Sequence, residues 1–292
     1  MKAKTKLFNV FRNFLRLPFA ERLLRKFSIG RDTQSLVSRL VPNNYQYPVG
    51  SMRNFEYKGV NLSLDIHDYV SHYLYFGFKD RSHEVLMNLV RSGDTILDIG
   101  TNYGTTILQF GKLIGSSGRA YGFEPDPVNF SICSENLSRN NLSNVSVENI
   151  GLGRKMGEVA LVVDTESNRG CNRIGVPSTD KEWHKVVIWN LDEWIEDRKV
   201  GKVDLIKIDV EGYEMEVLSG ATRLLNEFAP TLFVELDDSN LGQQGSSAKE
   251  LVQFLEKHRF AITHAESGSI ITSENEFSSC HFDIICKRKP SR

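Results

Sequence analysis

A loop with two glycines and an acidic residue follows a short apolar run, and it reads Asp98-Ile-Gly-Thr-Asn-Tyr-Gly104. Gly100 would let the chain turn sharply, and Gly104 would let the next helix approach closely. The G-x-x-x-G spacing differs from the G-x-G-x-x-G spacing that accommodates a pyrophosphate. With Asp98 and Asn102 beside backbone N–H groups, we expect the loop to hold a polar ligand group that lacks phosphate.

A second acidic residue, Glu124, ends the next apolar run and is followed by Pro125. An ionised carboxylate has two acceptor oxygens, so Glu124 could bind both hydroxyls of a ribose. Asn149 and Ile150 end the third run, where an adenine ring would pack, although Asn is also a common turn residue. Together these residues predict a site for an adenosine compound without phosphate, such as S-adenosylmethionine.

Asp209 and Glu211 follow a fourth apolar run and are the candidate catalytic residues. In methyl transfer to oxygen, one of them could be the general base for the acceptor hydroxyl. Alternatively, both could bind a magnesium or calcium ion, or they could be structural, with Asp209 capping the next helix and Glu211 binding backbone N–H groups. We favour a base without metal and assign no metal ligands. Other candidate bases by residue type are His67, His72, His184 and His281.

The elements that must position these residues are strands that alternate with helices. Strands are predicted over Thr95–Ile99, Arg119–Glu124, Val145–Ile150, Val203–Asp209 and Thr231–Glu235. Such an alternation is typical of a parallel sheet with right-handed crossovers. Ligands bind beyond the carboxyl ends of these strands, which is where the candidate residues and Glu235 lie.

The remaining elements complete the predicted architecture. Helices are predicted over Thr105–Ile114, Asp126–Arg139, Tyr213–Leu225 and Ser247–His258, and a hairpin over residues 54–66. Two closing strands, Phe260–His264 and Phe282–Cys286, would add an antiparallel edge. We therefore expect an α/β fold: a Rossmann-like, seven-stranded mixed sheet with helices on both faces.

Three segments resemble the signature segments of the FkbM family of methyltransferases. They are Asp98–Gly104, Gly122-Phe-Glu-Pro125 and Lys207-Ile-Asp-Val-Glu-Gly-Tyr-Glu214, within a resemblance that covers roughly residues 80 to 240. The family commonly has alanine at the position of Thr101. The resemblance implies the class I methyltransferase sheet, S-adenosylmethionine as the methyl donor, and O-methylation of a small-molecule or glycan acceptor such as a sugar, glycolipid or secondary metabolite.

Residues 1–50 are predicted to form a helical extension to a methyltransferase domain over residues 51–292. The first 31 residues carry nine basic side chains and one acid, Glu21, and apolar residues recur at helical spacing until Pro18. The extension could be an arm that docks on the main domain, or residues 1–30 could lie on an anionic membrane surface as an amphipathic helix. We favour the docking arm in a cytoplasmic protein.

Composition argues against several classes of function. A formal net charge of -1 gives no general attraction to nucleic acid. The four cysteines form no C-x-x-C pair, and no apolar run is long enough to span a bilayer. A nicotinamide-dependent oxidoreductase and a catalytically silent nucleotide-binding module remain as alternatives to a methyltransferase.

The segment Asp164–Trp194 is too long for an ordinary crossover between the third and fourth strands. It is rich in Trp, Arg and Asn. Such a segment could be a lid that faces a carbohydrate, or it could be a surface loop.

Overall fold

The structure is a computed structural model that describes residues 9–10, 12–163, 168–177 and 179–289. These residues form two compact units. One holds the described residues up to Arg81 together with 168–170, and the other holds the rest. The domain boundary predicted after residue 50 stays a prediction. Among the described residues, no helix is both long and apolar enough to cross a membrane.

The first unit is built on a hairpin, as the alternation of apolar and polar residues over 54–66 predicts. Its elements are the helix Pro18–Ser28, the 3-10 turns Ser38–Leu40 and Asn44–Gln46, strands β1 (Met52–Tyr57) and β2 (Val60–Asp65), and the helix Tyr69–Phe76. β1 and β2 pair antiparallel. Phe55 of the hairpin packs edge-on against Tyr75 of the second helix, with ring centroids 5.3 Å apart. The hairpin and the second helix therefore share an aromatic core.

The second unit contains a large mixed sheet and a small one. In chain order its strands are β3 (Thr95–Ile99), β4 (Arg119–Phe123), β5 (Val145–Glu148), β6 (Gly151–Leu152), β7 (Gly157–Val162), β8 (Arg173–Ile174), β9 (Trp183–Trp189), β10 (Leu205–Ile208), β11 (Thr231–Asp237), β12 (Phe260–His264), β13 (Ile270–Ile271) and β14 (His281–Arg288). The large sheet has the order β13-β12-β14-β11-β10-β3-β4-β5, and the small sheet has the order β6-β9-β7-β8. The strands from β11 to β5 in this order are parallel, and β14 pairs antiparallel with β11.

The predicted Rossmann-like α/β architecture is confirmed, with two corrections. The large sheet has eight strands instead of seven, because the short strand Ile270–Ile271 adds an edge beside β12. The predicted helix Tyr213–Leu225 is two helices, because the first ends at Ser219 with Gly220 as its C-cap. The helices of this unit are Arg81–Leu89, Thr105–Ile114, Pro127–Ser138, Leu191–Asp197, Glu214–Ser219, Thr222–Glu227, Asp238–Gln243 and Ala248–Lys257.

Alternate residues of the central strands supply the two hydrophobic layers that cover the sheet. All five residues of β3 are buried. Leu97 and Ile99 belong to one layer, and Ile96 belongs to the other, where it joins Ile107 and Phe110 of the helix after β3. A strand that is apolar on both faces can lie only in the middle of a helix-covered sheet, so this packing fixes where the end of β3 lies.

The long segment Asp164–Trp194 contains regular structure in its described part. It includes β8, β9 and the beginning of the helix Leu191–Asp197. β9 pairs antiparallel with β7, and β8 also pairs with β7, so part of the segment belongs to the small sheet. Residues 164–167 and 178 lie outside the described residues, and the carbohydrate-facing lid stays a prediction.

Gly100, the residue after β3, lies close to the end of β10. Its φ is +83°, and a Cβ there would lie 1.8 Å from the carbonyl oxygen of Asp209. We expect Gly100→Ala to lower the free energy of unfolding by about 2–4 kcal/mol, because it adds both backbone strain and a clash.

Urea denaturation measures this change, with Gly201→Ala as the control. A Cβ at Gly201 meets nothing within 4 Å, so its effect should stay below about 0.5 kcal/mol. Equal effects of the two substitutions would contradict the close contact between the ends of β3 and β10.

Candidate active site

The carboxyl ends of neighbouring parallel strands bring several predicted site residues to one edge of the large sheet. β10 lies between β3 and β11, and β4 lies on the other side of β3. Lys207 is in register with Asp98, and the N–H of Asp209 donates to the carbonyl of Ile99. Glu124 directly follows β4. The edge therefore carries carboxylates from three adjacent strand ends.

A buried lysine, Lys207 in β10, joins two of these strand ends. Its Nζ lies 3.0 Å from the carbonyl oxygen of Gly100, 3.1 Å from Asp209 Oδ2 and 3.7 Å from Asp98 Oδ1. Burial opposes the charge of the ammonium, but the attraction of the Asp209 and Asp98 carboxylates prevails and raises the pKa of Lys207. Lys207 therefore stays charged and ties the loop after β3 to the end of β10.

Asp98 is a fully buried carboxylate with unused acceptor capacity. Neither oxygen accepts a hydrogen bond from any described residue, and the nearest cation is the Lys207 ammonium. Burial raises the pKa of Asp98 to about 6, although Lys207 acts in the opposite direction. A buried carboxylate without donors is unfavourable. A ligand that brings N–H or O–H groups to this point would stabilise it.

The loop after β3 is fastened to the end of β4 by Glu124. One oxygen of this buried carboxylate accepts a hydrogen bond from the N–H of Asn102 at 2.7 Å, and the other accepts one from the N–H of Asp126 at 2.9 Å. Burial raises the pKa of Glu124 to about 7, and the two N–H groups act against this rise. Each oxygen keeps a second lone pair, so the carboxylate can still accept hydrogen bonds from a ligand.

Asn102 and Gly104 have the backbone conformations that the loop requires. Asn102 has a φ of +51°, uncommon for a residue with a side chain, and its buried Oδ1 has no hydrogen-bond partner among the described residues. Gly104 has a φ of +88°, and a Cβ there would lie 2.7 Å from Cys133 Sγ. The helix that this glycine lets approach is thus Pro127–Ser138, which contains Cys133.

The end of β5 carries the residues predicted to lie near an adenine ring. Asn149 Nδ2 donates to the carbonyl oxygens of Glu124 and Pro125, at 2.8 and 3.0 Å. Ile150 is half-buried and packs against the hydrophobic core. Asn149 therefore connects two strand ends, and its role toward a cofactor stays a prediction.

The turn after β10 is held by Glu214, a residue whose role the sequence pattern does not indicate. Its Oε1 accepts hydrogen bonds from the N–H groups of Val210 at 3.2 Å and Gly212 at 3.1 Å. Glu214 is also the first residue of the helix that follows, where a carboxylate is favourable. An acidic residue at a predicted helix start, shortly after a strand, is the signal that could have identified it.

The structure does not show the helix cap by Asp209 or the backbone contacts of Glu211 that the structural alternative expects, and the roles of both residues stay a prediction. The N-cap position of the following helix is Tyr213, which makes no side-chain cap. Glu211 accepts a hydrogen bond from Asn240 Nδ2 at 2.8 Å, and it has a φ of +54°. Non-glycine residues in this left-handed region are often found at functional sites. Neither carboxylate is used to hold the turn, which Glu214 does instead.

Several carboxyl groups near this edge have raised pKa values. Burial and the repulsion of Asp209 raise the pKa of Glu211 to about 7, although Arg173 lowers it. Burial also raises the pKa of Glu214 to about 7. Burial and the charges of Asp209 and Glu211 raise the pKa of Glu235 to about 10, and its Oε2 is buried without a partner among the described residues. At neutral pH this edge therefore contains both charged and neutral carboxyl groups.

Of the four candidate histidines, His281 lies at this edge. Its Nδ1 is 2.8 Å from Asp237 Oδ2 and 3.9 Å from Glu235 Oε1. His67 and His72 contact backbone carbonyls in the first unit, and His184 lies in the small sheet beside Glu182. In the described part of the chain, no three His, Cys, Asp or Glu side chains form a group that could hold a metal ion.

The unused hydrogen-bond acceptor capacity of the edge matches the donors of S-adenosylmethionine. Its ammonium and its two ribose hydroxyls donate hydrogen bonds, and Asp98, Asn102 and Glu124 have acceptor capacity to receive them. Its sulfonium is a cation, and Asp209 and Glu211 are acidic. The residues present therefore fit this cofactor.

Comparisons with known proteins agree with this chemistry. The model of the Methyltransferase FkbM domain matches residues 98–262. Hexuronic acid methyltransferase AglP from Haloferax volcanii is 28% identical over 141 residues, in a match that covers 48% of this chain and 55% of AglP. 2-O-methyltransferase NoeI from Sinorhizobium fredii is 25% identical over 178 residues, covering 54% of this chain and 70% of NoeI. The chain thus spans little more than half the length of AglP.

Similar solved structures include Methyltransferase FkbM from Methylobacillus flagellatus KT. It is 19% identical with a TM-score of 0.44, and the match covers 68% of this chain and 45% of that protein. This similarity is too low to support a conclusion by itself. The family model, in contrast, matches more than half of the chain and decides against an oxidoreductase. The predicted resemblance is confirmed: the chain belongs to the FkbM family of S-adenosylmethionine-dependent methyltransferases.

Proposed function

We propose that the protein transfers a methyl group from S-adenosylmethionine to a hydroxyl group of a sugar, a glycolipid or a secondary metabolite. The main support for this function is the set of acidic residues at the edge of the large sheet. There Asp98 and Glu124 offer buried acceptors, and Asp209 and Glu211 follow a neighbouring strand. The names of two relatives, a hexuronic acid methyltransferase and a 2-O-methyltransferase, favour a sugar hydroxyl.

The donor would be held by residues at the ends of β3, β4 and β5. S-adenosylmethionine, when bound, supplies a methyl group on a positively charged sulfur. Asp98 and Asn102 would accept hydrogen bonds from its amino-acid end, and Glu124 from its ribose. The other donor-binding residues in this proposal are Gly100, Gly104, Pro125, Asn149 and Ile150.

The acceptor hydroxyl would lose its proton to Glu211. The best general bases have a pKa near the working pH, and the pKa of Glu211 is about 7. Asp209 contributes to that value by repulsion, while Lys207 balances the charge of Asp209 itself. Asn240 donates to one oxygen of Glu211, which orients the carboxylate and leaves the other oxygen for the proton.

Incubation of the purified chain with methyl-labelled S-adenosylmethionine and a panel of sugars, uronic acids and glycolipids tests this function. We expect label to enter at least one acceptor through an ether bond that resists mild base. Binding of the donor without transfer to any acceptor would instead favour a catalytically silent module. Label in an ester or an amine would contradict O-methylation of a hydroxyl.

The donor site predicts the effect of Glu124→Gln. This change keeps the shape of the side chain but replaces one acceptor oxygen with an NH2 donor. The ribose hydroxyls therefore lose a negatively charged hydrogen-bond acceptor. We expect donor affinity to fall by about 2–4 kcal/mol. Calorimetry measures it, with Glu135→Gln on the exposed side of the next helix as the control. Unchanged affinity in a folded Glu124→Gln protein would remove Glu124 from the donor site.

The proposed base predicts a pH dependence. Glu211 must be ionised to accept the proton, so kcat should be highest above pH 7 and fall as the pH decreases through the pKa of about 7. Glu211→Gln should lower kcat by about 10²–10⁴-fold and abolish this dependence.

Glu216→Gln is a suitable control for the base, because Glu216 pairs with Arg154 outside this edge. It should leave the pH profile unchanged. A Glu211→Gln enzyme that keeps its activity and its profile would exclude Glu211 and leave Asp209 as the candidate base.

If Glu211 is the general base and no metal ion takes part, the enzyme should keep full activity after exhaustive treatment with EDTA. The contrary mechanism, in which carboxylates of the edge bind a divalent ion that acidifies the hydroxyl, predicts lost activity that magnesium restores. Initial rates with and without EDTA and magnesium distinguish the two directly.

A further inference from the structure

The outer face of the helix Pro18–Ser28 carries large apolar side chains that nothing in the described structure covers. Phe19, Leu23 and Phe27 follow each other at intervals of four residues, so they form one stripe along the helix. Their exposed fractions are 76%, 40% and 52%. Phe14, Leu17 and Ile29 extend the exposed apolar surface beyond both helix ends. A contiguous patch of this kind marks an interaction surface more often than single exposed residues do.

The opposite face of the helix is fixed within the first unit. Glu21 forms an ion pair with Arg53 at 2.8 Å and accepts a hydrogen bond from the Tyr75 hydroxyl at 2.8 Å. Ser28 Oγ donates to the carbonyl of Phe76 at 2.6 Å, and Leu24 of the same helix is also buried. The helix cannot rotate its apolar stripe inward without breaking these contacts.

The charges beside the stripe are all positive. Arg22 and Lys26 are exposed on the solvent side of the helix, and neither pairs with a described residue. Glu21 is the one acid among the described residues 9–31, and Arg53 already balances its charge. Phe and Leu side chains next to Arg and Lys are complementary to a surface that carries anionic groups over an apolar interior.

We propose that this helix lies in the plane of an anionic lipid bilayer surface. Phe19, Leu23 and Phe27 would enter the boundary between headgroups and acyl chains, and Arg22 and Lys26 would contact lipid phosphates. A second copy of the chain is a poorer occupant. The same positive side chains flank the stripe in both copies, and the described residues 9–31 contain no acid besides Glu21, which already pairs with Arg53, so the segment offers no new ion pair to a second copy. This inference concerns the first unit and is independent of the methyl acceptor.

Cosedimentation of the full chain with vesicles tests the proposal. We expect binding to vesicles of equal parts phosphatidylglycerol and phosphatidylcholine, weaker binding at high salt, and little binding to phosphatidylcholine alone. Phe19→Ser/Phe27→Ser should weaken binding by about tenfold or more, because less apolar surface enters the bilayer. Ile270→Ser, which removes a 78% exposed apolar side chain from the second unit, should bind like the wild type.

A second variant keeps the test decisive if the serine variant folds poorly. Arg22→Gln/Lys26→Gln leaves the apolar stripe intact and should lose the preference for phosphatidylglycerol. Wild-type protein that stays in the supernatant with both kinds of vesicle would overturn the proposal. So would a dimer in sedimentation velocity that Phe19→Ser/Phe27→Ser dissociates, because the stripe would then be an interface between two copies.

Discussion

The arrangement of the site depends on one buried positive charge. Asp98 is fully buried and Asp209 is partly exposed, and their carboxylates, which lie at the ends of neighbouring strands, would repel each other. The Lys207 ammonium lies close to both, and it also binds the carbonyl of Gly100. Lys207 thus contacts the ends of β3 and β10 and the loop after β3. These contacts hold the edge together, although acidic groups outnumber basic groups there. Acidic groups of this kind would attract the cationic methyl donor that we propose for this site.

Apart from Asp209, which pairs with Lys207, the acidic residues discussed at this edge fall into two groups. Glu124 and Glu214 are structural in part, since each accepts backbone N–H groups from a turn that follows a strand. Asp98, Glu211 and Glu235 keep at least one oxygen for other partners, and burial makes each a weaker acid than usual. The first group shapes the loops, so the second group does not have to hold the backbone and keeps oxygens for the ligands that we propose.

The sequence predicted those parts of the fold that local patterns determine. β3 and β12 have the predicted limits, because a short run of strand-forming residues bounded by turn residues specifies where a strand begins and ends. The break at Gly220 and the extra edge strand at Ile270 were missed, because both depend on contacts with distant segments. Gly220 lies against the carbonyl of Gly153, where a Cβ would meet the oxygen at 2.1 Å. The candidate carboxylates were found at strand ends, whereas the central position of Lys207 and the role of Glu214 became visible only in three dimensions.

We propose that the methyl donor binds at the ends of β3 and β4. Hydrogen–deuterium exchange of the full chain, with and without saturating S-adenosylmethionine, tests it without any substitution. Bound donor should slow amide exchange in residues 98–104 and 122–126, because the ligand would occupy the acceptors of Asp98, Asn102 and Glu124 and restrain both loops. If exchange in these two segments were unchanged while the donor was bound, the site would have to lie elsewhere.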